Sequence, residues 1–421
     1  MEREYLKRIA DKELDMALAA SGAVLIEGPK WCGKTRTAKE KAGSAVFLQD
    51  PDQASAYLKA ADTKPSLLLR GETPRLIDEW QTAPVLWDAV RFAVDERGRT
   101  GQFILTGSAV PLDNAARHTG TGRISRLLMR PMSLYESLES SGDVSLKALF
   151  EGSPEVEGAS PLNIEGLAWA LLRGGWPASV GEAEGLAWKR VQDYVEAVIN
   201  IDVSRVDGVE KNPHRVRALM RSLARNVSTM ANLATIKKDI SGDGDLISEK
   251  TLASYLNALR RIFVVEDLPA WSPALRSKTA LRTSPKRHFV DPSIAGALLR
   301  VTPDSLLNDF NTFGFLFESL CLRDLRIYAQ ANDGEVFHYR DKSGLEADAI
   351  VCLRDGRWGA VEVKTGAREI EAAAGNLQAL RDKIEPGKMR APSFLMVLTG
   401  TELAYRRRDG VYLVPIGCLK N

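Results

Sequence analysis

The segment Gly28-Pro29-Lys30-Trp31-Cys32-Gly33-Lys34-Thr35 constrains the fold of this chain more than any other. It matches G-x-x-x-x-G-K-[ST], follows an apolar run over residues 23–27 and precedes a stretch with helical character, which is the strand, loop and helix context the motif requires. Glycines at both ends let backbone N–H groups turn inward around a phosphate, and the following helix N-terminus adds positive potential. In that geometry Lys34 reaches the β- and γ-phosphates of a nucleotide and the Thr35 hydroxyl reaches Mg²⁺. Residues 28–35, with Arg36 beside them, are the candidate nucleotide-binding set, and ATP and Mg²⁺ are the expected cofactors.

Two further strand ends complete the pattern. Leu76-Ile77-Asp78-Glu79 supplies Asp78 to hold Mg²⁺ through its shell and Glu79 to polarise the attacking water. Leu105-Thr106-Gly107-Ser108 ends another strand, where Ser108 would sense or position water between Glu79 and the γ-phosphate. Strand patterns at 23–27, 45–49, 76–78 and 103–106 alternate with helical patterns such as 54–61 and 86–94. This reads as an α/β fold with a parallel sheet, in which ligands bind beyond the carboxyl ends of the strands.

A chain of 421 residues is long enough for several domains, and 57 Lys+Arg against 55 Asp+Glu leaves a net charge of only +2, which neither demands nor forbids nucleic acid. The longest apolar runs, at 23–26 and 394–398, fall far short of the ~20 residues of a membrane span, so no membrane crossing is expected. Residues 1–12 mix acids and bases with no secretion signal, and a cytoplasmic location is expected. Four cysteines without C-x-x-C, and the scattered His118, His214, His288 and His338, argue against zinc clusters and a disulfide frame.

Beyond Pro131 the pattern turns helical, with a Gly/Ser/Pro/Glu-rich loop at 151–161 and a buried-face helix at 188–199. Short helices at 216–224 and 233–240, a helix that Ser248 would cap, and a strand at 262–265 outline a winged helix-turn-helix, though a plain helical connector fits the same pattern. Lys237, Lys238, Lys250, Arg260 and Arg261 there offer phosphate contacts, against Asp239, Asp243, Asp245 and Glu249 in the same stretch. From about residue 287 strands return at 289–290, 336–339, 347–353, 359–364 and 394–398, with helices at 313–329 and 372–383. The expected division is a P-loop domain at 1–135, a helical lid at 136–210, a winged helix at 211–285 and a last α/β domain at 286–421.

That last domain carries Glu318 on a helix, Asp348 on a strand and Glu362-Val363-Lys364 on the next, where alternation points Glu362 and Lys364 to one face. The set looks like the PD-(D/E)xK nuclease constellation. Glu318, Asp348 and Glu362 would hold a divalent metal and Lys364 would orient water, with Gln378 one helix later to assist; the alternative is a surface ion pair between Glu362 and Lys364.

The first part of the chain resembles the AAA+ ATPases, and the order of motifs resembles one prokaryotic family that joins an AAA+ module to a winged helix and a restriction-endonuclease-like carboxy-terminal domain of unassigned function. Besides the three strand ends, the resemblance rests on Gly122-Arg123, Arg130-Pro131-Met132-Ser133-Leu134, Gly174-Gly175-Trp176-Pro177 and Phe289-Val290-Asp291. It implies ATP hydrolysis, self-association, and an arginine, Arg123 or Arg126, that completes a neighbouring subunit's site. Arg36 departs from the family, which usually shows a second Thr there. The implied function is ATP turnover coupled to DNA or RNA binding or processing; the rival is an ATP-controlled switch whose last domain docks a partner without cutting.

Overall fold

The computed structural model describes residues 4–421 apart from 110–119, 153, 207, 242–246, 274–282 and 386–388. His118, Asp243 and Asp245 lie outside the described residues. The chain forms two compact units: Met1–Pro131 with Asn200–Lys211 and Asn257–Val264, and Met132–Ile199 with Asn212–Leu256 and Val265–Asn421.

The first unit runs α1 (Ala10–Ala20), β1 (Ala23–Glu27), α2 (Lys34–Lys41), β2 (Ser44–Phe47), α3 (Ala54–Thr63), β3 (Arg75–Asp78), α4 (Val85–Arg97), β4 (Phe103–Gly107) and β5 (Ile124–Leu128), with the short α8 (Val203–Arg205) added from farther along the chain. The strands form one sheet in the order β2-β3-β4-β1-β5, and every pairing is parallel. Because successive strand residues face opposite sides, Leu25, Ile77 and Leu105 pack with Leu86, Trp87 and Val90 of α4, while Val24, Leu76 and Ile104 pack with Leu14 and Leu18 of α1. A sheet covered on both faces explains why β1 and β4 read as near-continuous apolar runs. The expected strands all form, and β5 joins them.

The second unit holds β6 (Val144–Ser145), α5 (Leu146–Glu151), β7 (Glu157–Ala159), α6 (Ile164–Arg173), α7 (Glu184–Ala197), α9 (Pro213–Arg225) and α10 (Leu233–Ile240). α11 (Glu249–Arg261) begins in it; then follow α12 (Pro292–Leu299), α13 (Pro303–Asn308), α14 (Phe310–Gln330), β8 (Gly334–Arg340), β9 (Glu346–Leu353), β10 (Trp358–Lys364), α15 (Ile370–Lys383), β11 (Leu395–Thr399), β12 (Leu403–Arg406), β13 (Tyr412–Pro415) and β14 (Leu419–Lys420). Seven strands pair in the order β7-β12-β13-β11-β10-β9-β8, with β10, β11 and β13 mutually parallel in that sequence. Trp358 and Ala360 of β10 and Val397 of β11 pack against Ala373, Leu377 and Leu380 of α15.

The expected boundaries at residues 210 and 285 do not separate compact bodies here. The edge strand β7 of the large sheet comes from the segment assigned to the lid, and α12 packs on α6, α7 and α9, tying the helical stretches into one unit. The expected strand at 262–265 also fails: α11 runs on to Arg261, Phe263 turns with φ of 58°, and among the described residues the isolated bridges Val265–Phe289 and Leu268–Lys286 stand where a hairpin was expected. Ser248 does cap α11, accepting from Thr251 N at 3.1 Å.

Three of the quoted motifs meet in one buried network of the second unit. Asp291 accepts from Gly175 N (2.9 Å), Ser293 N (3.0 Å) and Arg323 Nη1 (2.9 Å), and Trp176 Nε1 donates to Ser293 Oγ (3.0 Å). Arg323 also pairs with Asp324, which accepts from Leu134 N at 2.9 Å. A side chain at Gly175 would put its Cβ 2.1 Å from Met132 O, so the backbone approach that makes this network requires glycine. Among the described residues, no helix is long and apolar enough to cross a membrane.

Candidate functional site

The parallel order brings the three strand ends to one edge of the first sheet: Glu27 of β1 is level with Gly107 of β4, and Leu105 of β4 with Ile77 of β3. The loop after β1 turns at Gly28, with φ of 151° and a backbone so close that a Cβ would lie 2.1 Å from Met129 O. Trp31, half-exposed, takes a left-handed φ of 67°, and Gly33 precedes α2 at φ of 103°. Cys32 is buried, with Sγ donating to Met129 O, and Arg8 Nη1 donates to Cys32 O at 2.8 Å, so the loop is held from behind.

Lys34 stands at the first position of α2, buried, with Nζ donating to the carbonyls of Gly28 (3.0 Å) and Pro29 (2.7 Å). Its ammonium therefore sits at the mouth of the loop. Thr35 Oγ1 donates to Asp78 Oδ1 at 2.7 Å, and Thr106 Oγ1 donates to the same oxygen at 2.7 Å. These neighbouring hydroxyl and carboxylate oxygens suit Mg²⁺, a hard cation that takes oxygen donors. The oxygen donors of Thr35 and Asp78 fit that ion.

Glu79 follows β3 in a left-handed conformation, φ of 55°, which a non-glycine residue adopts only at a cost of about 1–3 kcal/mol. The strain turns its carboxylate to the sheet edge, where Oε2 accepts from Ser108 Oγ at 3.1 Å and from Gln81 Nε2. Glu79 N donates to Thr106 Oγ1 at 3.0 Å. Thr106 thus links the two acidic residues, a role that the sequence pattern did not single out.

Arg36 lies on the exposed side of α2, paired with Glu40 at 3.1 Å, and points to no phosphate cradle. Lys30 pairs instead with the buried Asp202 of the same unit at 2.6 Å. Arg123 precedes β5, whose first residue is level with Ala23, so it sits at the opposite end of the sheet, roughly 13 Å along β1 from Glu27 at ~3.3 Å per residue. It pairs there with Asp95 at 2.8 Å and is remote from the loop of its own chain. Arg126, half-exposed, pairs with Glu27 at 2.9 Å and lies over the Trp87 ring; burial raises the Glu27 carboxyl against that cation.

In the second unit Glu318, Asp348, Glu362 and Lys364 do come together, as the alternation on β10 predicts. Lys364 Nζ lies 3.0 Å from Glu362 Oε2 and 3.7 Å from Asp348 Oδ2, and Asp348 Oδ2 accepts from Val363 N at 2.9 Å. The sequence pattern missed Lys286, whose Nζ is 2.8 Å from Glu318 Oε1 and 3.0 Å from Asp348 Oδ1. Burial, reinforced by Asp348, pushes Glu318 up to about 7 and Glu362 up to about 8. Against burial, Lys286 and Lys364 hold Asp348 down to about 2. Among the described residues no group of three or more His, Cys, Asp or Glu side chains that could hold a metal ion is found, and the Lys286 ammonium stands between Glu318 and Asp348. Gln378 lies on α15, and the structure assigns it no part in this cluster.

Residues 20–138 match a family model described as an AAA domain, and residues 164–305 and 313–419 match two models described as domains of unknown function. Uncharacterized proteins of Mycobacterium tuberculosis and Mycobacterium bovis are each 25% identical over 400 residues, covering 92% of this chain and 81% of each relative. Among solved structures, the Walker-type ATPase PABY2304 of Pyrococcus abyssi aligns with 72% of this chain and 99% of its own at 17% identity and a TM-score of 0.43. A DNA replication initiation factor aligns with 60% of this chain and 86% of its own at 15% identity and a TM-score of 0.21. With its loop, strand order and acidic strand end in place, the amino-terminal third of the chain is similar to an AAA domain.

Proposed function

We propose that the chain binds ATP at residues 28–35 and hydrolyses it at the carboxyl edge of the first sheet. The observation that carries this reading is the chain of contacts from Thr35 to Asp78 to Thr106 to Glu79 to Ser108, which sets a metal-type oxygen pair beside a strained carboxylate. Lys34 releases its carbonyl partners and binds the β- and γ-phosphates. Thr35 and Asp78 would hold Mg²⁺, which when bound would supply positive charge beside the phosphates. Glu79 accepts a hydrogen bond from the attacking water and aligns it with the γ-phosphorus, while Ser108 and Gln81 hold the carboxylate in place. Phosphate release from Mg·ATP, measured for the purified chain, tests the reading.

A finger arginine acting between copies is part of the proposal, since Arg123 is too far from its own loop to serve it. Specific activity should rise with protein concentration, and Arg123→Ala or Arg126→Ala should lower kcat by on the order of 10³ while ATP still binds. A rate independent of concentration, with both variants fully active, removes self-association from the account.

We further infer that the turnover acts on nucleic acid. The support is the packed pair α9 and α10, which exposes Arg221 and Lys238, and the start of α11, which exposes Lys250, with the acidic Asp239 and Glu249 in the same stretch. ATPase rates measured with single-stranded DNA, double-stranded DNA and RNA test this: stimulation by one of them that fades with salt is expected. No change with any of the three favours the docking of a protein partner instead.

A further inference from the structure

The carboxylates of the second unit do not fit the divalent ion that a nuclease-like constellation carries, and the reason is Lys286. This residue is not a wandering surface lysine. Its backbone is fixed by paired hydrogen bonds with Leu268, N to O at 3.0 Å and O from N at 2.9 Å, and its side chain is 8% exposed. Its ammonium lies 2.8 Å from Glu318 Oε1 and 3.0 Å from Asp348 Oδ1, bridging a helix and a strand that are 32 and 62 residues away in sequence.

We propose that Lys286 is a built-in counter-ion that takes the place of a divalent metal, so that this carboxylate cluster is assembled and neutralised without one. The charges agree with the geometry. Lys286 and Lys364 bring two ammonium groups to the three carboxylates, Lys286 at 2.8 Å from Glu318 and 3.0 Å from Asp348, and Lys364 at 3.0 Å from Glu362 and 3.7 Å from Asp348. A divalent ion entering beside these two ammonium groups would meet repulsion, which is poorly screened around the buried Lys286.

The inference predicts charge replacement. The chelator-treated full chain, free of nucleotide, should show no melting shift with millimolar Mn²⁺ assignable to this cluster. Lys286→Met removes the ammonium and leaves Glu318 and Asp348 facing each other, so its melting temperature should fall by several degrees and be restored by Mn²⁺. Lys286→Met combined with Asp348→Asn should lose the restoration. Failure of Mn²⁺ to restore the single variant overturns the proposal. Should Lys286→Met not fold, Mn²⁺ titration of the wild-type chain decides alone: stoichiometric binding that Asp348→Asn abolishes overturns the proposal, and binding indifferent to Asp348→Asn, or none, supports it.

Discussion

Glu79→Gln is expected to bind Mg·ATP with wild-type affinity and to release phosphate 10²- to 10⁴-fold more slowly, the usual loss when a positioned base is removed. The amide keeps the size of the side chain and can still meet Ser108 Oγ, so the loop and sheet edge stay in place. What it loses is the negative charge that draws the proton of the attacking water. Because the left-handed backbone at Glu79 is held by Thr106 Oγ1, Thr106→Val should lower kcat as well, through misplacement of Glu79 and Asp78 together. Wild-type turnover in Glu79→Gln, measured as single-turnover phosphate release, would assign water activation to another group.

The largest stability effect is expected at Asp291. Its carboxylate is completely buried and gathers Arg323, Gly175 N and both the N and Oγ of Ser293. Asp291→Ala removes all of these and leaves part of the Arg323 charge uncompensated in the interior. Breaking a buried pair from one side costs about 3–5 kcal/mol. In a unit of this size that corresponds to a drop of roughly 10 °C in the unfolding transition. Asp291→Asn, which keeps the shape and some acceptors, should lose less. A calorimetric scan of both variants checks the order, and equal stability of Asp291→Ala and wild type would show that the network contributes nothing net.

The legible parts of this molecule are those where local pattern and local chemistry coincide. Residues 28–35 declare themselves because the strand before and the helix after are adjacent in sequence. The strands β8, β9 and β10 read correctly because aliphatic and aromatic residues concentrate in each over a strand's length. β5 was missed because Ser125 and Arg126 break its apolar run, and it is a sheet edge that tolerates them. The strand expected at 262–265 is apolar because it finishes a buried helix and turn, and a short apolar run does not distinguish the two. Lys286 had no sequence signal at all: its partners are remote, and nothing in a lone lysine announces that it will be buried between two carboxylates. The motif Phe289-Val290-Asp291 was legible as a motif but not in its role, since Asp291 proves to be an internal tether of the second unit.

The central claim is that residues 28–35 form an ATP site on which hydrolysis depends, and titration of Mg·ATP into the wild-type chain and into Lys34→Ala tests it most directly, with phosphate release followed on the same samples. The Lys34 ammonium is held against the carbonyls of Gly28 and Pro29, at the mouth of the loop. The account predicts saturable binding and turnover in the wild type, and loss of both in Lys34→Ala with its thermal unfolding unchanged. Equal binding and equal phosphate release by the two proteins would contradict it.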